Sequence, residues 1–188
     1  MDKQDLYYTL DKIHAWTENC DAKASIIIGS IGVVVTILLS SDYLNQIKTI
    51  VDTAIKYVAD TKAHPYDVGS IVYLVVLLIA SIILIIGCFY LFRVLVPKTK
   101  PSLYKQKGMT LKSLIFFHTI SRHKSYERYK TNVANYNNET LLNDITSQIY
   151  VCSKICTMKF SNYKKGLAFS LIGLALNISL VILGFIAF

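Results

Sequence analysis

The chain has 188 residues, of which 53% are hydrophobic and 17% charged, and carries a net charge of +8 with a mean hydropathy of +0.43. A soluble domain of this size buries its core without unbroken apolar runs. This chain has three such runs, each near or beyond the roughly 18 residues that mark a transmembrane helix: residues 24–41, 69–96 and 166–188. A backbone in lipid must satisfy its own hydrogen bonds, so each is expected to be an α-helix, and the fold class is an all-α integral membrane protein.

Residues 1–23 hold three lysines against five acids, a net −2, and end on Asp21 and Lys23 at the threshold of the first run. This polar lead-in, with no small-residue cleavage site after a short apolar stretch, speaks against a signal peptide. Asp21 and Lys23 either mark where water ends or belong to something that reads a signal at the membrane surface.

Residues 42–68 carry a net −1. Leu44, Ile47, Val51, Ala54 and Val58 recur at helical spacing opposite Lys48, Asp52, Lys56 and Asp60, which predicts an amphipathic helix on the outer leaflet or capping the bundle, ended by His64 and Pro65. The second run, 69–96, is longer than a ~30 Å hydrocarbon core requires, so it tilts or projects. Arg93 can snorkel to the headgroups, and Pro97 supplies a stop.

Residues 98–165 hold thirteen Lys or Arg against Glu127, Glu139 and Asp144, a net +10. Nearly all the excess charge sits here, much of it close to membrane ends, so the positive-inside rule assigns 97–165 and 1–23 to the cytoplasm and 42–68 to the outside. A basic linker with two prolines and a glycine opens the region. Leu114, Phe117, Tyr126, Tyr129, Val133 and Tyr136 then suggest helix, with a break near 119–124. Asn138 is a plausible cap, with Glu139 in the first turn. From there Leu141, Leu142, Ile145, Gln148, Ile149, Cys152, Ile155 and Cys156 form one stripe. No proline or glycine intervenes before Gly166, so this helix can run on into the third run. Asn177, the one strongly polar side chain there, is expected to face another helix; the competing reading of that run is a buried core helix.

No phosphate loop, HExxH, GxSxG or paired acids on one cytoplasmic helix is present, and His118 and His123 lie among bases without an orienting carboxylate. Cys20, Cys88, Cys152 and Cys156 form no zinc or redox pattern. The expectation is therefore a non-enzyme without catalytic residues, metal or cofactor. The basic region is suited to an anion: Arg122, Arg128, Lys154 and Lys159 with Tyr126 and Tyr129 combine charged donors with aromatic faces. The plainer reading is a polybasic surface held against anionic lipid.

Three stretches together resemble the transmembrane effectors of bacterial Pycsar anti-phage systems: "WTENCDAKASIIIGSIGVVV", with its Asp-x-Lys-Ala opening, "LIFFHTISRHKSYERYK" after the second run, and "LLNDITSQIYVCSKICTMKFSNYKKGLA" leading into the third. The motif positions that carry over are Asp21, Lys23, Gln148 and Lys159. The resemblance implies an effector, linked to a nucleotidyl cyclase, that senses cyclic CMP or cyclic UMP and compromises the inner membrane. The expected partners are the bilayer, that cyclic mononucleotide and further copies of the chain, with no nucleic-acid polymer. The alternatives are a membrane anchor or regulatory partner that recruits another protein, and a holin-like pore former without a ligand.

Overall fold

A capping box starts the first helix. The Asp5 amide donates to Asp2 Oδ1 at 2.8 Å and the Asp2 amide donates back to Asp5 Oδ2 at 3.0 Å, which satisfies two of the donors that a helix start leaves open. In the computed structural model, which describes residues 2–39, 41–59, 68–97, 106–110 and 112–187, that helix is α1 (Lys3–Leu38). It is followed by α2 (Ser41–Ala59), α3 (Val68–Leu95), α4 (Phe117–Ile120), α5 (Tyr126–Ala134) and α6 (Asn138–Ala187). No strand occurs among the described residues. Three helices, α1, α3 and α6, are long and apolar enough to cross a membrane. The protein is all-α, as its apolar runs predict.

Two differences from the sequence reading are instructive. Helix α6 is capped one residue earlier than expected, by Asn137, whose Oδ1 accepts the Thr140 amide at 2.8 Å. The stretch from Lys112 to Phe116 is not helical although its apolar spacing suggests it. There the Ser113 hydroxyl accepts the Ile115 and Phe116 amides at 3.2 and 3.1 Å, offering the backbone a local alternative to the helix ladder. The predicted break falls at 121–125, and Ser125 caps α5 by accepting the Arg128 amide. His64, Pro65 and Lys98 to Lys105, which carry the expected helix stop and most of the linker, lie outside the described residues.

The chain divides into two compact units. The first comprises Met1–Ala22 with Val96–Ser161, and the second Lys23–Leu95 with Asn162–Phe188. In the second unit α3 and the end of α6 run antiparallel, in a register fixed by close backbone approaches. A methyl group added to Gly173 would stand 2.6 Å from the Leu84 amide nitrogen, and one added to Gly166 would stand 2.9 Å from that of Leu91. Gly87 meets the Ser170 backbone in the same way. Small residues let the helices approach where lipid supplies no hydrophobic drive between them. The Tyr73 hydroxyl donates to the Leu180 carbonyl at 3.0 Å, and Ser81 to Asn177 Oδ1 at 3.3 Å. Asn177 is buried and also donates to the Gly173 carbonyl, so it faces a helix, as expected of a polar group at that depth. Helix α2 packs on α3 through Ile50, which joins Tyr73, Ala80 and Leu180 in one apolar cluster. Its buried face carries Tyr43, Ile50 and Ala54 with Ile47 and Val51 half-buried beside them, and Lys48, Asp52 and Lys56 are exposed as the spacing predicts, while Leu44 at the start of the predicted face is exposed. Ile172, Leu176, Ile182, Leu183, Phe185 and Ile186 of α6 are exposed, which suits lipid and not a buried core helix.

Gly173→Ala should therefore destabilise the folded protein in detergent, because the added methyl meets backbone that cannot give way. Gly29→Ala, where nothing lies within 4 Å, should leave stability unchanged or raise it by the roughly 0.5–1 kcal/mol that alanine gains over glycine in a helix. Thermal unfolding of the two variants side by side checks the contrast.

Candidate ligand cavity and its anchoring network

The first unit is polar where the second is apolar, and its fixed point is a buried carboxylate. Asp144 is 0% exposed and its Oδ2 accepts three donors: the Ser113 hydroxyl at 2.9 Å, the Leu114 amide at 3.1 Å and the Tyr136 hydroxyl at 2.5 Å. Burial, and then the hydrogen bond to Asp144, hold the Tyr136 phenol above its ordinary range. Around this carboxylate the loop residues 110 and 112–116 are fixed to α6. The Thr110 amide donates to the Ser147 hydroxyl at 3.0 Å and Asn143 Nδ2 donates to Thr110 Oγ1 at 3.2 Å. The loop is fixed equally to α5, since the Tyr129 hydroxyl donates to the Leu114 carbonyl at 3.1 Å. Leu114 thus has its amide on one helix and its carbonyl on another.

That loop, α4, α5 and the residues flanking α5 border an open cavity of about 470 Å³ lined by Lys112, Ser113, Leu114, Thr119, Arg122, His123, Asn132 and Tyr136. Lysine and arginine supply cationic donors, and serine, threonine, asparagine and tyrosine supply neutral ones. The arrangement can receive an anion of small-molecule size.

A second feature of the unit is the bond between its two long helices. Lys159 Nζ on α6 donates to both carboxylate oxygens of Asp21 on α1 at 2.6 Å. The lysine side chain is 7% exposed and the aspartate 36%. It is the one ion pair among the described residues. Beside it, Cys152 Sγ lies 3.7 Å from His14 Nε2, and burial raises the thiol's pKa, with Cys156 adding to the effect. A pocket of about 290 Å³ lies here, lined by residues that include His14, Glu18, Phe116, Cys152 and Lys159.

The residues expected to bind a ligand are dispersed. Arg122 lines the cavity. Tyr129 supports its wall through Leu114 and sets its ring edge-on to His123 at 5.3 Å. Tyr126 is exposed at the first position of α5, and Arg128 is exposed on the same helix. Lys154 lies over the Tyr150 ring at 5.4 Å, and Lys159 is paired with Asp21. Among the positions assigned to a switch or boundary, Gln148 is buried in this unit, whereas Lys23 is exposed in the other. Sequence reading missed Lys112, Asn132 and Asp144. Asp144 had a signal: it is the single acid on the wetted part of α6 beyond the first turn, one turn before Gln148 on the stripe.

Fold and site together define a small helical membrane protein whose basic polar unit holds an anion-suited cavity. The family model of the Pycsar effector protein domain matches residues 5–187. The chain is also 31% identical over 168 residues to the Pycsar effector protein GmPycTM of Gulbenkiania mobilis, an alignment covering 87% of this chain and 83% of that one. No solved structure matches. The chain belongs to the Pycsar effector proteins, transmembrane effectors of antiviral defence.

Two outcomes follow. Asp21→Ala strands a mostly buried lysine charge, so its cost falls between the about 0–1 kcal/mol of an exposed pair and the about 3–5 kcal/mol of a buried one. The swapped pair Asp21→Lys with Lys159→Asp should recover much of the loss, as unfolding of single and double variants would show. For Tyr136 the folded phenol holds its proton to higher pH than the unfolded one. Its contribution is therefore full below about pH 10 and lost as pH rises toward the folded value. Tyr136→Phe should show a shallower loss of stability than wild type between neutral pH and pH 11.

Proposed function

We propose that the chain senses a cyclic pyrimidine mononucleotide, cyclic CMP or cyclic UMP, through its first unit and in response disrupts the inner membrane, aborting infection. The cavity beside α5 is the observation that carries the reading. Its volume of about 470 Å³ falls within the about 300–1,000 Å³ of small-molecule sites. Lys112 and Arg122 suit the single charge of a cyclic phosphodiester, and the Asn132 amide offers a donor and an acceptor to a base edge. Family membership supports the link to a nucleotidyl cyclase and its cyclic nucleotide.

The +10 segment supports an orientation with residues 97–165 in the cytoplasm, where a cyclase product accumulates. The action is binding and not catalysis. Three helices enclose no wide pore, so permeability needs several protomers, a homo-oligomer in the membrane. Exposed Lys124, Arg128 and Lys130 also support attachment to anionic lipid at about 1 kcal/mol per charge, a role compatible with the first and separable from it.

Calorimetry on the full chain in nanodiscs should show saturable binding of cyclic CMP or cyclic UMP. Arg122→Ala or Lys112→Ala should weaken it about tenfold or more, the scale of one charge-assisted hydrogen bond. The same nucleotide should depolarise inverted membrane vesicles and not right-side-out ones. Failure of both nucleotides to bind the wild type overturns the reading. Loss of membrane response on neutralising Lys124, Arg128 and Lys130, with binding intact, assigns those bases to lipid.

A further inference from the structure

The cavity wall and helix α6 draw on the same hydrogen-bond donors. Ser113 and Tyr136 line the cavity, and both hydroxyls donate to the buried Asp144 carboxylate, joined by the Leu114 amide. All three reach Oδ2, while Oδ1 is buried and accepts nothing among the described residues. Asp144 is in no ion pair among the described residues either. Its charge is held by neutral donors alone, and two of these three belong to side chains that an anion in the cavity would meet.

Resting on the function proposed above, we propose that Asp144 is a positioning residue that competes with the bound anion for the Ser113 and Tyr136 hydroxyls, so that ligand binding releases the cavity wall from α6. A phosphodiester held by Lys112 and Arg122 presents acceptor oxygens to the same hydroxyls. It also places a second negative charge within a hydroxyl's reach of the first, which opposes simultaneous occupation. Once the hydroxyls turn to the ligand, the Leu114 amide is the remaining bond from this wall to Asp144. The Tyr129 hydroxyl holds Leu114 from the side of α5, so residues 113–116 stay with α5 as their hold on Asp144 loosens, while Thr110 remains tied to α6 through Ser147 and Asn143. Asp144 makes no ligand contact in this scheme. It sets the resistance that ligand binding must overcome, and by linkage anything that weakens its hold tightens ligand binding by the same factor.

Asp144→Asn keeps the shape, weakens the acceptor and removes the repelling charge. In full-length protein in nanodiscs it should bind cyclic CMP or cyclic UMP about fivefold or more tightly than wild type, the excess of a charge-assisted over a neutral hydrogen bond. A residue that only braces the fold would give weaker or unchanged binding when replaced, and either result overturns the proposal. Hydrogen exchange on the wild type gives a second decision that does not depend on the variant's folding. Adding the nucleotide should speed exchange at the Leu114 amide and across residues 113–116, and slower exchange there overturns the proposal. A wild type that binds neither nucleotide defeats the function proposed above and this inference with it, whereas binding without tightening in Asp144→Asn defeats this inference alone.

Discussion

One helix face has to serve two solvents. Helix α6 is 50 residues long, and its buried positions follow the three-and-four spacing of a single stripe. In the first unit that stripe carries Asp144, Ser147, Gln148 and Lys159 among the apolar Ile145, Val151 and Cys156, and in the second Asn162, Gly166, Ser170, Gly173, Asn177, Leu180 and Gly184. The change of chemistry is what each environment demands. Where water competes, a loop is positioned by directed hydrogen bonds to a buried acceptor. Where lipid replaces water, helices hold through close backbone approach, joined by the Tyr73–Leu180 and Ser81–Asn177 hydrogen bonds. The rest of the fold follows from which partner meets which half of the stripe.

The Lys159–Asp21 pair is the clearest product of that constraint. Lysine is almost never buried unpaired, and Lys159 occupies a stripe position at 5% exposure in a segment of net +10. Its partner comes from the segment with an acidic excess, residues 1–23. The ion pair thus joins the two parts of the first unit that are farthest apart in sequence, and it fixes the relative register of α1 and α6 within that unit. The question raised by an acid at the threshold of an apolar run has a structural answer: Asp21 neutralises a lysine of another helix. Lys23, two residues later, is exposed and takes no part in that bond.

The legible part of the molecule was whatever rested on composition and period. Three apolar runs gave three long helices, and the absence of a breaker before Gly166 gave the continuity of α6. The continuity of α1 across the acidic segment was also legible, since Ile13, Cys20, Ala24 and Ile31, all buried, recur at intervals of seven and four residues, a helical period masked by the charges between them. The face of α2 was read broadly right, with Ala54 buried, Ile47 and Val51 half-buried and Lys48, Asp52 and Lys56 exposed, but Tyr43 and Ile50 take the most buried places and Leu44 is exposed, a detail that depends on the partner and not on the helix. The site was the least legible. Basic residues with interleaved tyrosines predicted an anion surface, and Arg122 lies on the cavity, but Asn132 joins it from within α5 and Lys112 from a loop whose path is set by Ser113 and Asp144. Side chain to backbone bonds of that kind leave almost no periodic trace.

The two units also differ in how much free energy a ligand needs to change them. A hydrogen bond exchanged between partners contributes only about 0.5–1.5 kcal/mol net, and the cavity wall is attached to α6 by a handful of them. Helices that touch at Gly87, Gly166 and Gly173 cannot slide without backbone collision, because packed interiors rearrange between discrete states and do not deform continuously. A ligand shifts an equilibrium only by its differential affinity for the two states, and 1.4 kcal/mol already changes a population ratio tenfold. Any small ligand with a few charge-assisted contacts has enough to exchange such hydrogen bonds and far too little to unpack the α3–α6 seam. The exchangeable element of the first unit is therefore the set of hydrogen bonds to Asp144, and the fixed element of the second is its small-residue seam.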